Sequence, residues 1–125
     1  MKPAPDPEDF LPLTHLSFQI LLALADQDRH GYGIIKEIVQ STAGRIRPGT
    51  GTLYTAIQRM LDEGTIVESP ARPAPEDDDE RRKYYGLTPL GREVARAEAL
   101  RFASMVSVAS EKALVPELIS RQAPR

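Results

Sequence analysis

The 125-residue sequence predicts a mainly α-helical fold with one small β-hairpin and a long final helix. Apolar residues recur at helical spacing in four stretches, near residues 14–25, 32–42, 47–64 and 89–114. Two short runs, Thr65 to Glu68 and Lys83 to Leu87 with its Tyr84 and Tyr85, read as strands on either side of a segment rich in proline and acid. The last helical stretch would extend ~39 Å at ~1.5 Å per residue, far more than one small domain needs for itself.

Residues Met1 to Pro12 are proline-rich and acidic and read as a mobile arm, with only Phe10 and Leu11 able to pack. Thr14 can cap a first helix running to about Ala25, where Leu16, Phe18, Ile20, Leu21, Leu22 and Leu24 place apolar surface on more than one side. A helix apolar on several sides asks for more cover than this chain offers, which suggests a second chain packed on it. The polar run Asp26 to His30 breaks the pattern. A second helix, Tyr32 to Thr42, turns Tyr32, Ile35, Ile38 and Val39 inward, and Ala43 to Gly49 is a turn that points Arg45 and Arg47 outward. In the third helix Leu53, Ile57, Met60 and Leu61 form the apolar stripe, and Gly64 stands where a left-handed closing residue belongs. The residues leave its cap open between Gly49 and Thr50.

Thr88 followed by Pro89 opens the final helix, which runs to about Leu114. Its Ala95, Ala99, Phe102, Val106, Ala109 and Ala113 alternate steps of four and three, the seam of a helix that lies along another helix. With Phe18 and Leu22 these residues form the expected homodimer interface. The order helix, helix, helix, two-stranded wing, long helix is that of a winged helix-turn-helix with a dimerisation arm. The expected divisions are an arm at 1–12, the winged domain at 13–88, the dimerisation helix at 89–115 and a tail at 116–125.

A hydrophobic content of 41% over this length suits one modest core. Without cysteine there is no disulfide framework, thiolate nucleophile or cysteine zinc site. No signal-peptide core opens the chain and no stretch approaches the ~20 apolar residues of a membrane span, so a cytoplasmic location and no membrane partner are expected. His15 and His30 have no spacing that suggests zinc ligation or a catalytic triad. Gly31, Gly33, Gly49 and Gly51 lack the preceding strand and following lysine of a phosphate loop. No enzymatic activity, metal or cofactor is expected.

The polar face of the third helix carries Thr52, Thr55, Gln58 and Arg59, with Tyr54 on its flank. Hydroxyls, an amide and a guanidinium hydrogen-bond to phosphates and base edges, whereas a face chosen only for solubility favours lysine and glutamate. Net charge is -2, but residues 29–64 carry +2 and residues 81–92, with Arg81, Arg82, Lys83 and Arg92, carry +4. A local basic footprint of this kind is enough for phosphate contacts. Other readings remain open for single residues: Arg59 pairing with Asp62 or Glu63, Tyr54 as a packing residue, and Arg81 to Lys83 as a solvated mixed-charge loop.

GYG at 31–33, GTLY at 51–54, RML at 59–61, DEGTI at 62–66 and KYYGLTPLGRE at 83–93 together resemble the PadR family of bacterial transcriptional regulators. The resemblance covers about Leu13 to Glu93. It implies a winged-helix homodimer that binds double-stranded DNA, usually as a repressor on an inverted-repeat operator, and belongs with the shorter branch that has a single C-terminal helix. By the same resemblance Thr52 and Tyr54 are phosphate and groove contacts, Thr55, Gln58 and Arg59 follow along the exposed face, and Arg82 with Lys83 meets the duplex backbone from the wing. Arg47, Thr50 and Arg81 complete the expected DNA-binding set. Thr50 departs from the proline such sequences often carry, and the acidic run Glu76 to Glu80 is expected to avoid phosphate. Regulators of this kind can hold flat hydrophobic effectors between subunits; here such a pocket would draw on Phe18, Leu22, Phe102, Met105 and Val106, without tryptophan. The competing function is a winged helix that binds protein rather than DNA.

Overall fold

Side-chain caps open three of the four helices described. Thr14 Oγ1 accepts from the Ser17 N–H at 3.1 Å, His30 Nδ1 from Gly33 at 3.0 Å, and Thr88 Oγ1 from Gly91 at 2.9 Å. The computed structural model describes residues 5–70 and 82–116. Over those residues a 3-10 turn at Pro7–Phe10 precedes α1 (His15–Leu24), β1 (Arg29–His30), α2 (Gly31–Ser41) and α3 (Thr50–Glu63). Then come β2 (Ile66–Ser69), β3 (Tyr84–Leu87) and α4 (Pro89–Glu111). The strands form an antiparallel sheet in the order β1-β3-β2, so the fold is a winged helix, mainly helical with a small sheet. The third-helix cap is Gly49, which offers no side-chain bond, and Thr50 is already helical.

The core is built where the three short helices, the sheet and the first half of α4 converge. Ile20, Leu21 and Leu24 of α1 meet Ile34, Ile35 and Ile38 of α2, Leu53, Ala56, Ile57 and Met60 of α3, Ile66 and Tyr85 of the sheet, and Val94 and Ala95 of α4. Each large aliphatic side chain buried here contributes about 1.5–3 kcal/mol. In α2 the inward stripe is Gly31, Ile34, Ile35 and Ile38, whereas Tyr32 is 59% exposed. The expected inward position of Tyr32 is therefore corrected: a residue one step past Gly31 lies on the outer side of a helix that buries 31, 34, 35 and 38.

Three further expectations change. Arg29 and His30, read as part of a polar break, pair with Tyr85 and Tyr84 of β3 as a third strand. Arg29 is fixed there by Ala23 O at 2.8 Å and by Glu37 at 3.3 Å. Residues 5–12, expected to belong to a mobile arm, form the Asp6-capped turn at Pro7–Phe10 and lay Phe10, Leu11 and Leu13 against the core. The fully buried Glu98 of α4 explains the docking: it accepts the Leu13 N–H at 2.9 Å and the Arg101 guanidinium at 2.5 Å. Finally, α4 stops at Glu111 rather than near Leu114, and Ala113 lies beyond it with φ 62°. Ala95, the first seam position, is spent on the chain's own core.

α3, the wing and α4 are tied together at one point. Gly64 ends α3 at φ 85°, Thr88 Oγ1 donates to Gly64 O at 2.6 Å, and Thr88 N–H donates to Thr65 O at 3.2 Å. Gly91 of α4 then comes so close that a Cβ on it would lie 1.8 Å from Thr65 O. Backbone cannot swing away as a side chain can. Gly91→Ala is therefore expected to lower stability by about 3 kcal/mol or more despite gaining ~1 kcal/mol of helix propensity, read as a shift of the urea midpoint at constant m; an unchanged midpoint would refute the contact.

The Arg101 hydrogen bond holds the Glu98 carboxyl below its ordinary range, with the Leu13 N–H and the Arg101 charge assisting and burial opposing. A carboxylate lowered in the folded state adds stability above its unfolded pKa and loses it as pH falls through the folded value. Urea midpoints should thus fall more steeply for the wild type than for Glu98→Gln below about pH 4. Parallel curves would remove Glu98 from the account of acid stability.

Candidate nucleic-acid interface

The outward face of α3 is assembled by the same helix that fills the core. Leu53, Ala56, Ile57 and Met60 point inward, which leaves Thr52, Tyr54, Thr55, Gln58 and Arg59 on the exposed side. Arg47 is exposed at its approach and Thr50 at its first position. Gln58 donates to Asp62 at 3.3 Å, one turn on. Arg59 pairs with neither Asp62 nor Glu63: its guanidinium donates to Ser17 Oγ at 2.5 Å, across to α1. Nothing in local spacing points to a partner 42 positions away. The structure thus keeps Thr52, Thr55 and Gln58 together as the free outer surface of α3 and draws Arg59 toward the start of α1, where Thr14, Leu16, Thr52, Thr55 and Arg59 line a shallow groove.

The wing meets this face at its root. Arg82 and Lys83 are exposed immediately before β3. With His30, Tyr32, Tyr54 and Tyr85 they line a cleft of about 260 Å³. Arg81 and the acidic run Glu76 to Glu80 lie outside the described residues. Tyr54 is 44% exposed, and its ring lies over the first residue of α2, so that a Cβ on Gly31 would fall 2.1 Å from the hydroxyl oxygen. Packing and exposure therefore coexist in Tyr54. His30 stacks on Tyr32 with ring centroids 6.3 Å apart and meets Tyr84 edge-on at 5.2 Å. Arg82 comes within 3.1 Å of His30 Nε2. Burial pushes the Tyr85 hydroxyl above its ordinary range, with Tyr54 and Glu68 adding to the effect, so it remains a proton donor.

Sequence reasoning missed His30, Tyr32 and Tyr85 as members of this cleft. The signal was split. GYG and KYY are each visible, but only the two-residue pairing of β1 with β3 brings them together.

The expected dimer face is divided between α1 and α4. Phe18 and Phe102 are in ring contact, with centroids 5.2 Å apart, and Arg101 lies 5.0 Å from the Phe102 ring centre. Leu22, Phe102, Met105 and Val108 are exposed, Val106 and Ala109 half-buried, and Ala99 exposed. Ala95 faces the core and Ala113 is off the helix, so the outer part of the seam is Ala99 to Ala109. Among the described residues no group of three or more His, Cys, Asp or Glu is placed to hold a metal ion, and no helix is long and apolar enough to cross a membrane.

These elements define a winged helix with an exposed polar third helix and a basic wing root. The chain belongs to the PadR-like family of transcriptional regulators, whose family model matches residues 20–97. It is 36% identical over 78 residues to protein X of Lysinibacillus sphaericus, covering 62% of this chain and 69% of that one. It is also 36% identical over 101 residues to a 37.1 kDa protein in transposon TN4556 of Streptomyces fradiae, covering 81% of this chain and spanning about a quarter, 26%, of that protein. A solved transcriptional regulator from Clostridium thermocellum is similar at TM-score 0.63 and 26% identity, with 78% of this chain and 88% of that chain covered. A PadR family transcription regulator from Clostridium difficile matches at TM-score 0.64 and 25% identity, covering 78% and 97%.

The Gly31 contact differs from that at Gly91 in what must move. At Gly31 it is the far end of one side chain. Gly31→Ala is expected to leave stability within about 1 kcal/mol of wild type, because helix propensity offsets the lost contact, while Tyr54 swings away from α2. Ring resonances of Tyr54 in a two-dimensional NMR spectrum check it; unmoved resonances would show that the ring does not depend on Gly31.

Proposed function

We propose that the protein is a homodimeric transcriptional repressor that binds an inverted-repeat DNA operator through α3 and the root of the wing. The observation that carries this reading is the continuity of the surface: Thr52, Thr55 and Gln58 of α3 pass through Tyr54 into the cleft holding Arg82 and Lys83. Short polar side chains on a helix suit base edges in the major groove, and cations and hydroxyls at its border suit the flanking phosphates. Arg47 at the approach to α3, Thr50 at its first position, and Arg81 before the wing root extend the phosphate contacts. Arg59 acts by bracing α3 against α1 and by presenting the rest of its charge to the backbone.

Two-fold pairing through Phe18, Leu22, Phe102, Met105, Val106 and Ala109 would cover the apolar surface that α1 and α4 leave exposed. The two recognition helices then fall in successive major grooves, with half-sites about 10 bp apart or a multiple of that. Repression follows from occupying the promoter, in the cytoplasm. A flat apolar effector entering between Phe18 and Phe102 would alter the angle between subunits and release the operator.

The test is fluorescence anisotropy on labelled DNA from upstream of the protein's own gene against scrambled DNA of equal length, at two salt concentrations. The wild type is expected to prefer its operator by ~10³ or more. Thr55→Ala with Gln58→Ala should erase that preference while sedimentation still reports a folded dimer. Retained preference in the double variant would overturn the assignment of α3, and a wild type with no preference for any upstream DNA would favour a winged helix that binds protein.

A further inference from the structure

The buried face of α1 carries Ser17, Ile20, Leu21 and Leu24 at helical spacing, and its first member is polar. Ser17 is only 4% exposed. A hydroxyl at such a position is unfavourable unless it is completed, whereas an alanine there would have nothing to satisfy. The partners of Ser17 come from two directions. Thr14, which caps α1, places its Oγ1 2.9 Å from Ser17 Oγ, and Arg59 of α3 donates to the same oxygen from its guanidinium at 2.5 Å. Arg59 is itself exposed, so a side chain on the outer part of α3 is tethered by a buried hydroxyl of α1.

The tether acts on a flank of α3 that is offered outward. Thr52, Thr55 and Arg59 stand at steps of three and four along α3 and share one groove with Thr14 and Leu16 at the start of α1. The buried stripe Leu53, Ala56, Ile57 and Met60 holds α3 on the core but constrains its rotation weakly, since apolar burial is non-directional. A hydrogen bond is directional. With side chains about 5–6 Å from the helix axis, a rotation of ~10° displaces Thr52 and Thr55 by about 1 Å, enough to lose a hydrogen bond to a base edge.

The seat for Arg59 is fixed from behind. Leu13, the residue before the cap, donates its N–H at 2.9 Å to the fully buried Glu98 of α4. Thr14 Oγ1 accepts the Ser17 N–H at 3.1 Å, so the cap of α1 and the seat share one hydroxyl.

We propose that Ser17 is a positioning residue for operator recognition: by holding Arg59 it sets the rotation of α3 at which Thr52, Thr55 and Gln58 meet their base pairs, without touching DNA itself. The proposal rests on the DNA-binding reading above and deepens it by placing a determinant of specificity on α1.

The experiment compares operator preference, the ratio of affinities for operator and scrambled duplex by anisotropy, across variants of Ser17. Ser17→Ala removes the hydroxyl, suits a helix and leaves Arg59 its charge, so the fold is expected to persist, which a melting curve checks. The preference should fall roughly tenfold in Ser17→Ala, with affinity for scrambled duplex unchanged because the cation remains. Ser17→Thr and Ser17→Val add nearly the same volume and differ in the hydroxyl; Ser17→Thr is expected to keep the preference and Ser17→Val to lose it. Wild-type preference in Ser17→Ala overturns the proposal. So does an equal loss in Ser17→Thr and Ser17→Val, which would assign the effect to packing. The free protein gives a readout of the tether without DNA: slow rotation about the Arg59 Nε–Cζ bond should give two separate Nη resonances in the wild type and one averaged resonance in Ser17→Ala. A single averaged resonance in the wild type overturns the seat. The two readings fail distinguishably. A preference present in the wild type and untouched in Ser17→Ala sinks only the positioning role; a wild type that binds operator and scrambled duplex alike sinks the repressor, and the operator role of Ser17 with it, even where both Nη resonances are seen.

Discussion

The backbone contact between Gly91 and Thr65 is the constraint on which the rest of the arrangement depends. Where a Cβ would lie 1.8 Å from a carbonyl oxygen, only hydrogen can stand. That approach lets the start of α4 press onto the junction of α3 and β2, and Thr88 bonds to Gly64 O and Thr65 O on the same spot. Three elements are joined there: α3, the wing beside it, and α4. Because the joint is made by main chain and one short hydroxyl, it has few rotamers through which to relax.

A second tie runs along the opposite side. Glu98 of α4 is fully buried and accepts from Leu13 and Arg101, which sets the entry to α1. From that entry Thr14 and Ser17 bond to each other, and Ser17 receives Arg59 from α3. α4 and α3 are thus linked twice, once through backbone and once through a polar chain that includes the N-terminal segment. An uncompensated buried carboxylate is far more unfavourable than a neutral group, and the two donors at Glu98 make its burial tolerable. Residues 5–13 are consequently part of the domain rather than an appendage.

The parts of this structure that the sequence made legible are those set by short-range chemistry. Thr14, Thr88 with Pro89, and Gly64 are end signals whose partners lie within four residues, and each stands where its type predicts. The stripes of α1 and α3 follow from one period. What escaped depends on distant partners or on small margins. Tyr32 differs from an inward position by one step of 100°, which a tolerant apolar count does not separate. β1 is two polar residues whose strand character exists only against β3. The docking of residues 5–13 hangs on Glu98, 85 positions from Leu13. Arg59 found its partner on another helix, and the cleft residues were split among the motifs GYG, GTLY and KYY.

The electrostatic design follows from the same economy of charge. A chain of net charge -2 gains little from long-range attraction to DNA, since that attraction scales with the phosphates neutralised and is screened by salt. Two of its cations, Arg82 and Lys83, stand at the wing root beside the hydroxyls of Tyr32, Tyr54 and Tyr85. Neutral hydroxyls release few counterions, so their share of the binding free energy is comparatively insensitive to salt. They also demand correct geometry, because a hydrogen bond weakens steeply once distance and angle depart from ideal. In a protein of this family, weak general attraction combined with strict local donors lowers affinity for arbitrary DNA more than affinity for a duplex that satisfies those donors, and the ratio of those affinities is what a regulator needs to find one site among many.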